Sequence, residues 1–456
     1  MSAIGGMWRW GEGPDPAEEC TRILAAQAIY GPHDAGQWAG SEAALGRRLW
    51  RLLPEDFHDR QPLVAADGRV LAADVRLDNR GELEAALGLD PAAAAGRSDA
   101  AILLAAWERW ETGAFDRLAG DYAFALWDPR RRRLVLARDA MGHRPLHYCA
   151  TGESLAFASM PKGLLALADS PPAPDLVRLA GFLALDAETG SRSFFEGVER
   201  VEPGCWLTAE AGGLRLARHW PPATRPRPPT DDAVACALRV RALLETAVNA
   251  HLRGAGATVG AHLSSGWDSG AVAGVAARLI GARGGRVIAF TAAPRAGYDL
   301  PAPEGRHGDE APLAAVTAAL HPDIEHVVVR ASGRSPLAEI DATVFFGDRP
   351  VLNPCNQVWF DDIDRAARAR GIKVMLTGDF GNLSFSDDGM GGLADLAERG
   401  AWRRWAGVSR SLARGGLPWR TIIGASVAGR LPGWLLHGLQ RFRGRPRALG
   451  RTDYVA

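Results

Sequence analysis

A proline-rich stretch at residues 221–230 constrains the fold of this chain more than any other feature of its sequence. Five of its ten residues are proline, which lacks the amide hydrogen that helix interiors and central strands need. We therefore expect a stiff linker. It would separate a first domain, residues 1–220, from a second domain, residues 231–456.

Short runs typical of β-strands alternate with turn signals before this linker. The patterns predict strands at 68–77, 121–128, 134–139, 146–148 and 155–158, and a helix at 100–110. Such a mixture predicts an α+β domain of layered sheets and helices.

A different pattern follows the linker. It predicts helices at 232–252, 270–280 and 312–320, and strands at 258–263, 286–291, 324–329 and 373–376. Because strands and helices alternate, we expect a doubly wound α/β domain, in which helices cover both faces of a parallel sheet.

Composition excludes several classes of protein. The chain has 53 basic and 53 acidic residues, which argues against a nucleic-acid binder driven by phosphate contacts. Its five cysteines form no CxxC or CxxH pair, so neither a disulfide framework nor a zinc site is predicted and a reducing cytoplasm is expected. The most apolar late stretch, 421–439, is interrupted by Arg430 and Pro432, so no membrane span is predicted.

Residues 262–270, His-Leu-Ser-Ser-Gly-Trp-Asp-Ser-Gly, lie between a predicted strand and a predicted helix. The backbone amides of such a turn converge on one point, where the helix dipole favours an anion. Ser264 and Ser269 add hydroxyl donors, Gly266 permits close approach, and Asp268 can bind magnesium. Taken alone, the pattern also fits a helix capped by a serine.

Two further acidic turns belong to the same predicted sheet. Residues 375–382 end a strand with glycines and Asp379, and residues 308–310 read Gly-Asp-Glu. Loops at the carboxyl ends of parallel strands meet over one crevice. The three turns together predict a nucleotide–magnesium site.

Both halves of the chain resemble glutamine-dependent asparagine synthetases, and more closely the relatives that close the macrolactam ring of lasso peptides. Residues 264–269 resemble the family's pyrophosphate-binding Ser-Gly-Gly-x-Asp-Ser, with Ser265 in place of the first glycine. Residues 377–382 resemble its second loop, with Asn382 where asparagine synthetases carry an aspartate. This Asn382 and the segment 349–356 are similar to lasso cyclases.

The resemblance implies an N-terminal-nucleophile, glutaminase-like sandwich domain followed by an ATP-pyrophosphatase domain. Residues 120–128 and 137–146 match the glutaminase hairpin, but the residues of its pocket are altered. Ser2 replaces the nucleophilic cysteine, and Asp74-Val75-Arg76 replaces Asn-Gly-Glu. The degenerate glutaminase positions are Ser2, Arg51, Asp74, Arg76 and Asp99. We expect this domain to be structural, so that glutamine is not a nitrogen source.

The reaction that the resemblance implies is ATP-dependent amide formation by carboxylate adenylation, as in lasso-peptide macrolactam cyclisation. A peptide's α-amine would attack the acyl-adenylate, and the cofactors would be ATP and Mg²⁺. Asp379 is the expected base or amine-orienting group, and Asp268 and Asp309 are the expected metal ligands. The implied ATP- and pyrophosphate-binding residues are Leu263, Ser264, Ser265, Gly266, Asp268, Ser269, Ala292, Thr377 and Gly378.

Two alternatives remain open at this stage. One is a glutamine-hydrolysing asparagine synthase, which Ser2 and the altered 74–76 segment disfavour. The other is a non-catalytic protein that binds ATP or a peptide without turnover. For the cyclase, the implied partners are a precursor peptide, a leader-peptide-binding protein and a protease of the same pathway, with no nucleic acid and no membrane.

The last part of the chain is unusually basic. Residues 399–456 contain twelve arginines and a single acid, Asp453. This charge is typical of a site for an acidic ligand, or of helices whose acidic counterpart lies elsewhere or is missing. Because the family's synthetase domain continues further, we expect a chain truncated at its C-terminus, with apolar surface exposed near Trp419 to Trp434.

Overall fold

The computed structural model describes residues 1–168, 172–186, 189–221, 232–298, 307–331, 333–386 and 389–428. The chain divides into two compact units. The first contains Met1–Asp232, Ala250–Gly256 and Ser332–Arg365, and the second contains Ala233–Asn249, Ala257–Ala331 and the described residues from Ala366 onwards. The predicted linker lies outside the described residues, apart from Pro221.

The first unit contains twelve strands within its described residues. They are β1 (Ala3–Arg9), β2 (Asp34–Ala39), β3 (Ala43–Leu49), β4 (Leu63–Val64), β5 (Val70–Leu77), β6 (Gly120–Asp128), β7 (Arg133–Arg138), β8 (His147–Ala150), β9 (Ser154–Ala158), β10 (Glu199–Arg200), β11 (Cys205–Glu210) and β12 (Gly213–Arg218). The predicted strands coincide with β5, β6, β7, β8 and β9 to within a few residues.

Helices follow in chain order. They are α1 (Pro16–Ala26), α2 (Arg80–Leu87), α3 (Asp99–Trp110), α4 (Pro161–Leu165), α5 (Leu176–Leu183), α6 (Ala233–His251), α7 (Trp267–Gly281), α8 (Ala311–Ala319), α9 (Ile340–Gly347), α10 (Pro354–Arg368), α11 (Met390–Glu398), α12 (Trp402–Arg414) and α13 (Trp419–Ala428). Within the described ranges, no helix is long and apolar enough to cross a membrane.

Two antiparallel sheets form the first unit. Over the described residues their strand orders are β10-β8-β9-β1-β3-β2 and β12-β11-β7-β6-β5-β4. Buried side chains from both sheets, among them Trp8, Leu45, Trp127 and Leu136, pack into one apolar core. Helix α1 contacts β1 and β3, and α3 contacts β5. The expected glutaminase-like sandwich is therefore confirmed.

Residues 333–365 belong to the first unit, although they are remote from it in sequence. The Lys162 amide donates to Asp348 Oδ2 (2.9 Å), and the Lys162 ammonium lies 4.0 Å from the centre of the Phe345 ring. The Tyr30 hydroxyl donates to the carbonyl of Phe346. This grouping was not expected from the sequence, because nothing in a linear pattern pairs residues so far apart.

The second unit is built on a parallel sheet. Its strands are β13 (Thr258–His262), β14 (Arg286–Ala293), β15 (Ile324–Arg330) and β16 (Met375–Leu376), and their order over the described residues is β15-β14-β13-β16. Helix α7 contacts β13 and β14, and α8 contacts β14 and β15. The expected parallel α/β domain is confirmed, and each predicted strand overlaps an observed one.

The order of these strands creates a switch point. The chain proceeds from β13 outward through β14 to β15, and then returns to the other side of β13 as β16. Loops that leave neighbouring strands in opposite directions open a crevice at the carboxyl edge, where ligands of such sheets bind. The loops after β13 and β16 are the ones at this point.

Part of the late helical region has exposed apolar surface. Trp419 and Ile423 of α13 are each about half exposed, at 48% and 52%. Ile422, which lies between them, is buried, and the part of the predicted apolar surface after Ala428, including Trp434, lies outside the described residues.

Candidate functional site

The loop between β13 and α7 follows one of the two inner strands of the parallel sheet. Gly266 is the residue before α7, and Asp268 lies in the first turn of that helix. A carboxylate there is favoured by the positive end of the helix dipole. The predicted turn followed by a helix is thus present, and its binding of an anion stays a prediction.

Hydroxyl groups hold this loop in shape. Ser269, which is buried, accepts a hydrogen bond from the Ser264 amide (3.0 Å), and its hydroxyl lies 2.8 Å from that of Ser264. The Gly266 amide donates to the Ser264 hydroxyl (3.1 Å). The two serines are therefore structural parts of the loop as well as potential donors to a ligand.

The loop after β16 lies directly against residues 264–269, which we call the phosphate loop after their predicted ligand. A Cβ atom placed on Gly378 would lie 2.6 Å from the Ser269 amide nitrogen, and one on Gly381 would lie 2.2 Å from Asp268 Cγ. Real Cβ atoms do not approach other heavy atoms so closely, so glycine is needed at both positions. The structure brings together the two loops that the sequence singled out.

Asp268 has a carboxylate oxygen with no protein partner. Its Oδ1 atom is buried and accepts no hydrogen bond. Such an oxygen is costly to leave unpaired, and a hard cation such as magnesium is a suitable partner for it. Over the described part of the chain, however, no group of three or more His, Cys, Asp or Glu residues is arranged to hold a metal ion. Protein ligands alone therefore do not form a complete cation site there.

The two carboxylates of the acidic turn before α8 have different partners, and the metal-binding role of Asp309 stays a prediction. Asp309, an expected metal ligand, accepts a hydrogen bond from the Ala311 amide (2.9 Å) and lies 3.4 Å from Arg330. Its neighbour Glu310 instead reaches the phosphate loop, where its Oε2 atom accepts a hydrogen bond from the Ser265 amide (3.0 Å). Sequence reasoning identified this turn but not Glu310 as the residue that contacts the loop.

Three of the expected ATP-binding residues, which the resemblance places against the adenine, lie at the carboxyl edge of the sheet. Leu263 follows β13, Thr377 follows β16, and Ala292 is near the end of β14. Leu263 is buried, whereas Thr377 and the expected catalytic residue Asp379 are exposed. These roles stay predictions, while their placement on one edge follows from the parallel pairing of β13 with β14 and β16.

In the first unit, Ser2 is nearly buried, with 8% of its surface exposed. Its hydroxyl accepts a hydrogen bond from the Trp50 amide (3.0 Å). Burial lowers the pKa of the neighbouring Met1 amino group, while Asp74 raises it and Arg144 lowers it further. Arg144 also lies 3.4 Å from Asp74, so the Met1 amino group next to Ser2 and the Asp74 carboxylate share one charged environment.

Both carboxylate oxygens of Asp99 accept hydrogen bonds from groups of this chain. A serine cap at Ser98 starts α3 and places Asp99 in its first turn, where the side chain is only 3% exposed. Arg253 donates to both carboxylate oxygens at 2.8 Å, and Arg80 donates to Oδ1 at 2.9 Å. The Leu77 amide completes the set at 2.8 Å. The carboxylate at this glutaminase position is thus occupied by two guanidinium groups.

Arg76 and Asp121 lie directly opposite each other on β5 and β6, and their side chains form an ion pair at 3.2 Å. Burial would raise the pKa of Asp121, but its hydrogen bond to His143 and the charges of Arg76 and Arg144 lower it to about 2. The hydrogen bond to Asp121 raises the pKa of His143. The charge of Arg76, one of the altered residues of the glutaminase pocket, is therefore neutralised by Asp121 within the sheet.

Arg51, the remaining predicted position, lies 3.5 Å from Asp34. Its guanidinium group is also 5.6 Å from the centre of the Phe57 ring. Neither contact places it beside the Asp99 cluster.

Family models match both halves of the chain. One described as a glutamine amidotransferase domain matches residues 1–220, and one described as asparagine synthase matches residues 239–444. A Mycobacterium tuberculosis protein named as an asparagine synthetase (glutamine-hydrolyzing) is 31% identical over 396 residues, which are 81% of this chain and 56% of that protein.

Two further relatives extend this comparison. Asparagine synthetase (glutamine-hydrolyzing) 3 of Bacillus subtilis is 30% identical and aligns with 56% of this chain and 42% of its own length. Amidase chry2 of Gibberella zeae is 28% identical, covering 81% of this chain and 55% of its own length. The chain thus spans about half the length of the curated relatives it matches.

Proposed function

Because the chain belongs to the asparagine synthetase family, we propose that it is a carbon–nitrogen ligase that joins a carboxylate to an amine in an ATP-dependent reaction. In the proposed chemistry, a carboxylate oxygen attacks the α-phosphorus of ATP and pyrophosphate leaves. The amine then attacks the acyl-adenylate carbon, and AMP leaves with the bonding electrons of the carbon–oxygen bond.

The observation that carries this proposal is the contact between the two loops at the switch point of the parallel sheet. Gly378 and Gly381 pack against Ser269 and Asp268 so closely that a side chain added at either position would require its neighbours to shift. Backbone amides at the start of α7 favour an oxyanion at this point. A polyphosphate is the ligand that such a pair of loops suits best.

Each residue has a specific task in the proposal. The backbone amides at the start of α7 would bind the leaving pyrophosphate, and the unpaired Oδ1 of Asp268 is the oxygen that would hold magnesium. Magnesium supplies neutralisation of the charge on the pyrophosphate. Asp379, exposed on the second loop, would orient or deprotonate the amine.

We further propose that the amine is the α-amine of a peptide, as in a macrolactam cyclase, and that ammonia from glutamine is not used. Support comes from the first unit, where Ser2 stands in place of a cysteine and Asp99 is bound by Arg253 and Arg80. An enzyme that receives its amine on a peptide has no need of a glutamine pocket. The residues at 349–356 and Asn382 resemble those of lasso cyclases and favour the same substrate class.

Magnesium-dependent exchange of labelled pyrophosphate into ATP tests the ligase proposal, with candidate precursor peptides as the carboxylate source. Asp268→Asn keeps the shape of the side chain but removes its charge, and we expect exchange to fall by about 10²-fold or more. Asp395→Asn is the matched control, because Asp395 is a half-exposed carboxylate on α11 that pairs with Arg399. Near-normal exchange in Asp268→Asn would show that the loop has been misassigned.

A second candidate is asparagine synthesis, which the names of the relatives favour. It predicts exchange that depends on aspartate, with asparagine formed when ammonia is added. A non-catalytic binding protein would bind ATP but support no exchange with either carboxylate.

A further inference from the structure

A carboxylate already occupies part of the phosphate loop. Within the loop, the Ser264 amide donates to the Ser269 hydroxyl and the Gly266 amide donates to the Ser264 hydroxyl. The amide between them, that of Ser265, donates to Glu310 Oε2 at 3.0 Å. The acceptor for this central amide is therefore an anion supplied by the chain itself.

Glu310 is held in this position by little else. It is the residue before α8, but its side chain makes no capping hydrogen bond to that helix. Its neighbour Asp309 performs that task through the Ala311 amide and also lies beside Arg330. In the described part of the chain, no cationic side chain forms an ion pair with Glu310. A partly exposed carboxylate bound to a neutral amide can be displaced readily.

We propose that Glu310 is a placeholder in the anion site of the phosphate loop and competes with a phosphate oxygen of the nucleotide for the Ser265 amide. This inference rests on the proposed function, because it assigns the loop to a polyphosphate. Carboxylate and phosphate oxygens are both strong acceptors for backbone amides. Two anions cannot share one amide without repulsion, so polyphosphate binding requires Glu310 to withdraw.

The placeholder lowers the affinity of the site for a bare polyphosphate. With Glu310 in place, a bare polyphosphate must overcome both the occupied amide and the repulsion of a nearby carboxylate. Binding of the bare anion can be measured without turnover and without an identified carboxylate substrate.

Calorimetric titration of the full chain with inorganic pyrophosphate in EDTA tests the proposal. Glu310→Gln removes the charge and weakens the hydrogen bond, and we expect it to bind pyrophosphate about fivefold more tightly than the wild type. Glu325→Gln is the matched control, since it removes the same charge from an exposed position on β15 beside Arg286. We expect its affinity to stay within about twofold of the wild type.

A shorter side chain separates the contact from the charge. Glu310→Asp keeps the negative charge but withdraws it by one methylene group, so its affinity should lie between those of wild type and Glu310→Gln. If Glu310→Asp binds as weakly as wild type, net charge explains the effect and the placeholder is wrong. Unchanged or weaker binding by Glu310→Gln would also overturn it, because Glu310 would then support the loop in its binding shape.

Failure of this inference is distinguishable from failure of the proposed function. If wild type binds Mg²⁺–ATP while substitution of Glu310 leaves the affinity for pyrophosphate unchanged, only the placeholder proposal is wrong. If neither wild type nor Glu310→Gln binds Mg²⁺–ATP or pyrophosphate, the nucleotide assignment and the placeholder fail together. An NMR signal for the Ser265 amide that moves alike in Glu310→Gln and on addition of pyrophosphate to wild type would support it independently.

Discussion

Adding one methyl group at Gly378 should push the two loops of the second unit apart. Its Cβ atom would lie 2.6 Å from the Ser269 amide nitrogen and 2.9 Å from the Asp268 carbonyl carbon. These are backbone atoms at the start of α7, so they cannot rotate away as the end of a flexible side chain could. An ordinary contact distance of about 3.5 Å then requires a displacement of about 1 Å.

Two quantities follow from that displacement. Overpacking of this kind destabilises a protein by about 1–3 kcal/mol, and a misplacement of about 1 Å at a reacting centre can lower a rate by about 10²-fold. We therefore expect Gly378→Ala to unfold at lower urea concentration and to lose about 10²-fold in pyrophosphate exchange. Mg²⁺–ATP binding by titration calorimetry gives a readout that needs no carboxylate substrate.

Gly407→Ala provides the matched control. Gly407 lies in the middle of α12, and a Cβ there would meet no atom within 4 Å. The same substitution should stabilise this helix by about 0.5–1 kcal/mol and leave nucleotide binding unchanged. If Gly378→Ala binds Mg²⁺–ATP and unfolds like the wild type, the close contact between the loops does not exist.

Three further outcomes concern the first unit. Arg253→Met should lower the free energy of unfolding by about 2 kcal/mol, because Asp99 stays buried with one guanidinium fewer; equal effects of Arg253→Met and Arg131→Met, which removes a half-exposed ion pair, would contradict this. Ser2→Cys should release no glutamate from glutamine, since Asp99 remains occupied, and measurable turnover in that assay would refute the reasoning. Burial lowers the pKa of His147 to about 4 despite its hydrogen bond to the Ser159 carbonyl. The folded state therefore favours the neutral ring, and the stability that depends on this neutral ring is fully present above about pH 6.5 and is lost as the pH falls through 4. In His147→Gln, the free energy of unfolding should fall less on acidification, by about 3 kcal/mol at pH 4. Urea titrations at several pH values measure this, and an unchanged pH profile would contradict it.

Local features of the fold were predictable because they depend on periodicity. The parallel strands β13, β14 and β15 are short apolar runs, and α7 begins directly after a glycine turn. The sheet order then determines that the loops at 264–269 and 377–382 meet, since adjacent parallel strands end at the same edge. This much of the candidate site follows from sequence and general packing rules.

Contacts between distant residues were not predictable in the same way. Arg253 and Asp99 are 154 residues apart, and no repeat or spacing indicates that one arginine among 51 would bind that carboxylate. Choosing between Asp309 and Glu310 likewise required the backbone conformation before α8. An acid-rich turn predicts an interaction with the loop, but only three-dimensional geometry determines which carboxylate faces it.

The packing of residues 333–365 in the first unit limits how such chains can recombine. A single crossover at the proline-rich linker would take Lys162 and Tyr30 from one parent and Asp348, Phe345 and Phe346 from another. A hybrid gene made in that way would combine groups from two parents at each of these contacts. We therefore expect a functional hybrid to need the 333–365 segment from the same parent as the N-terminal half, although the family models divide the chain at the linker.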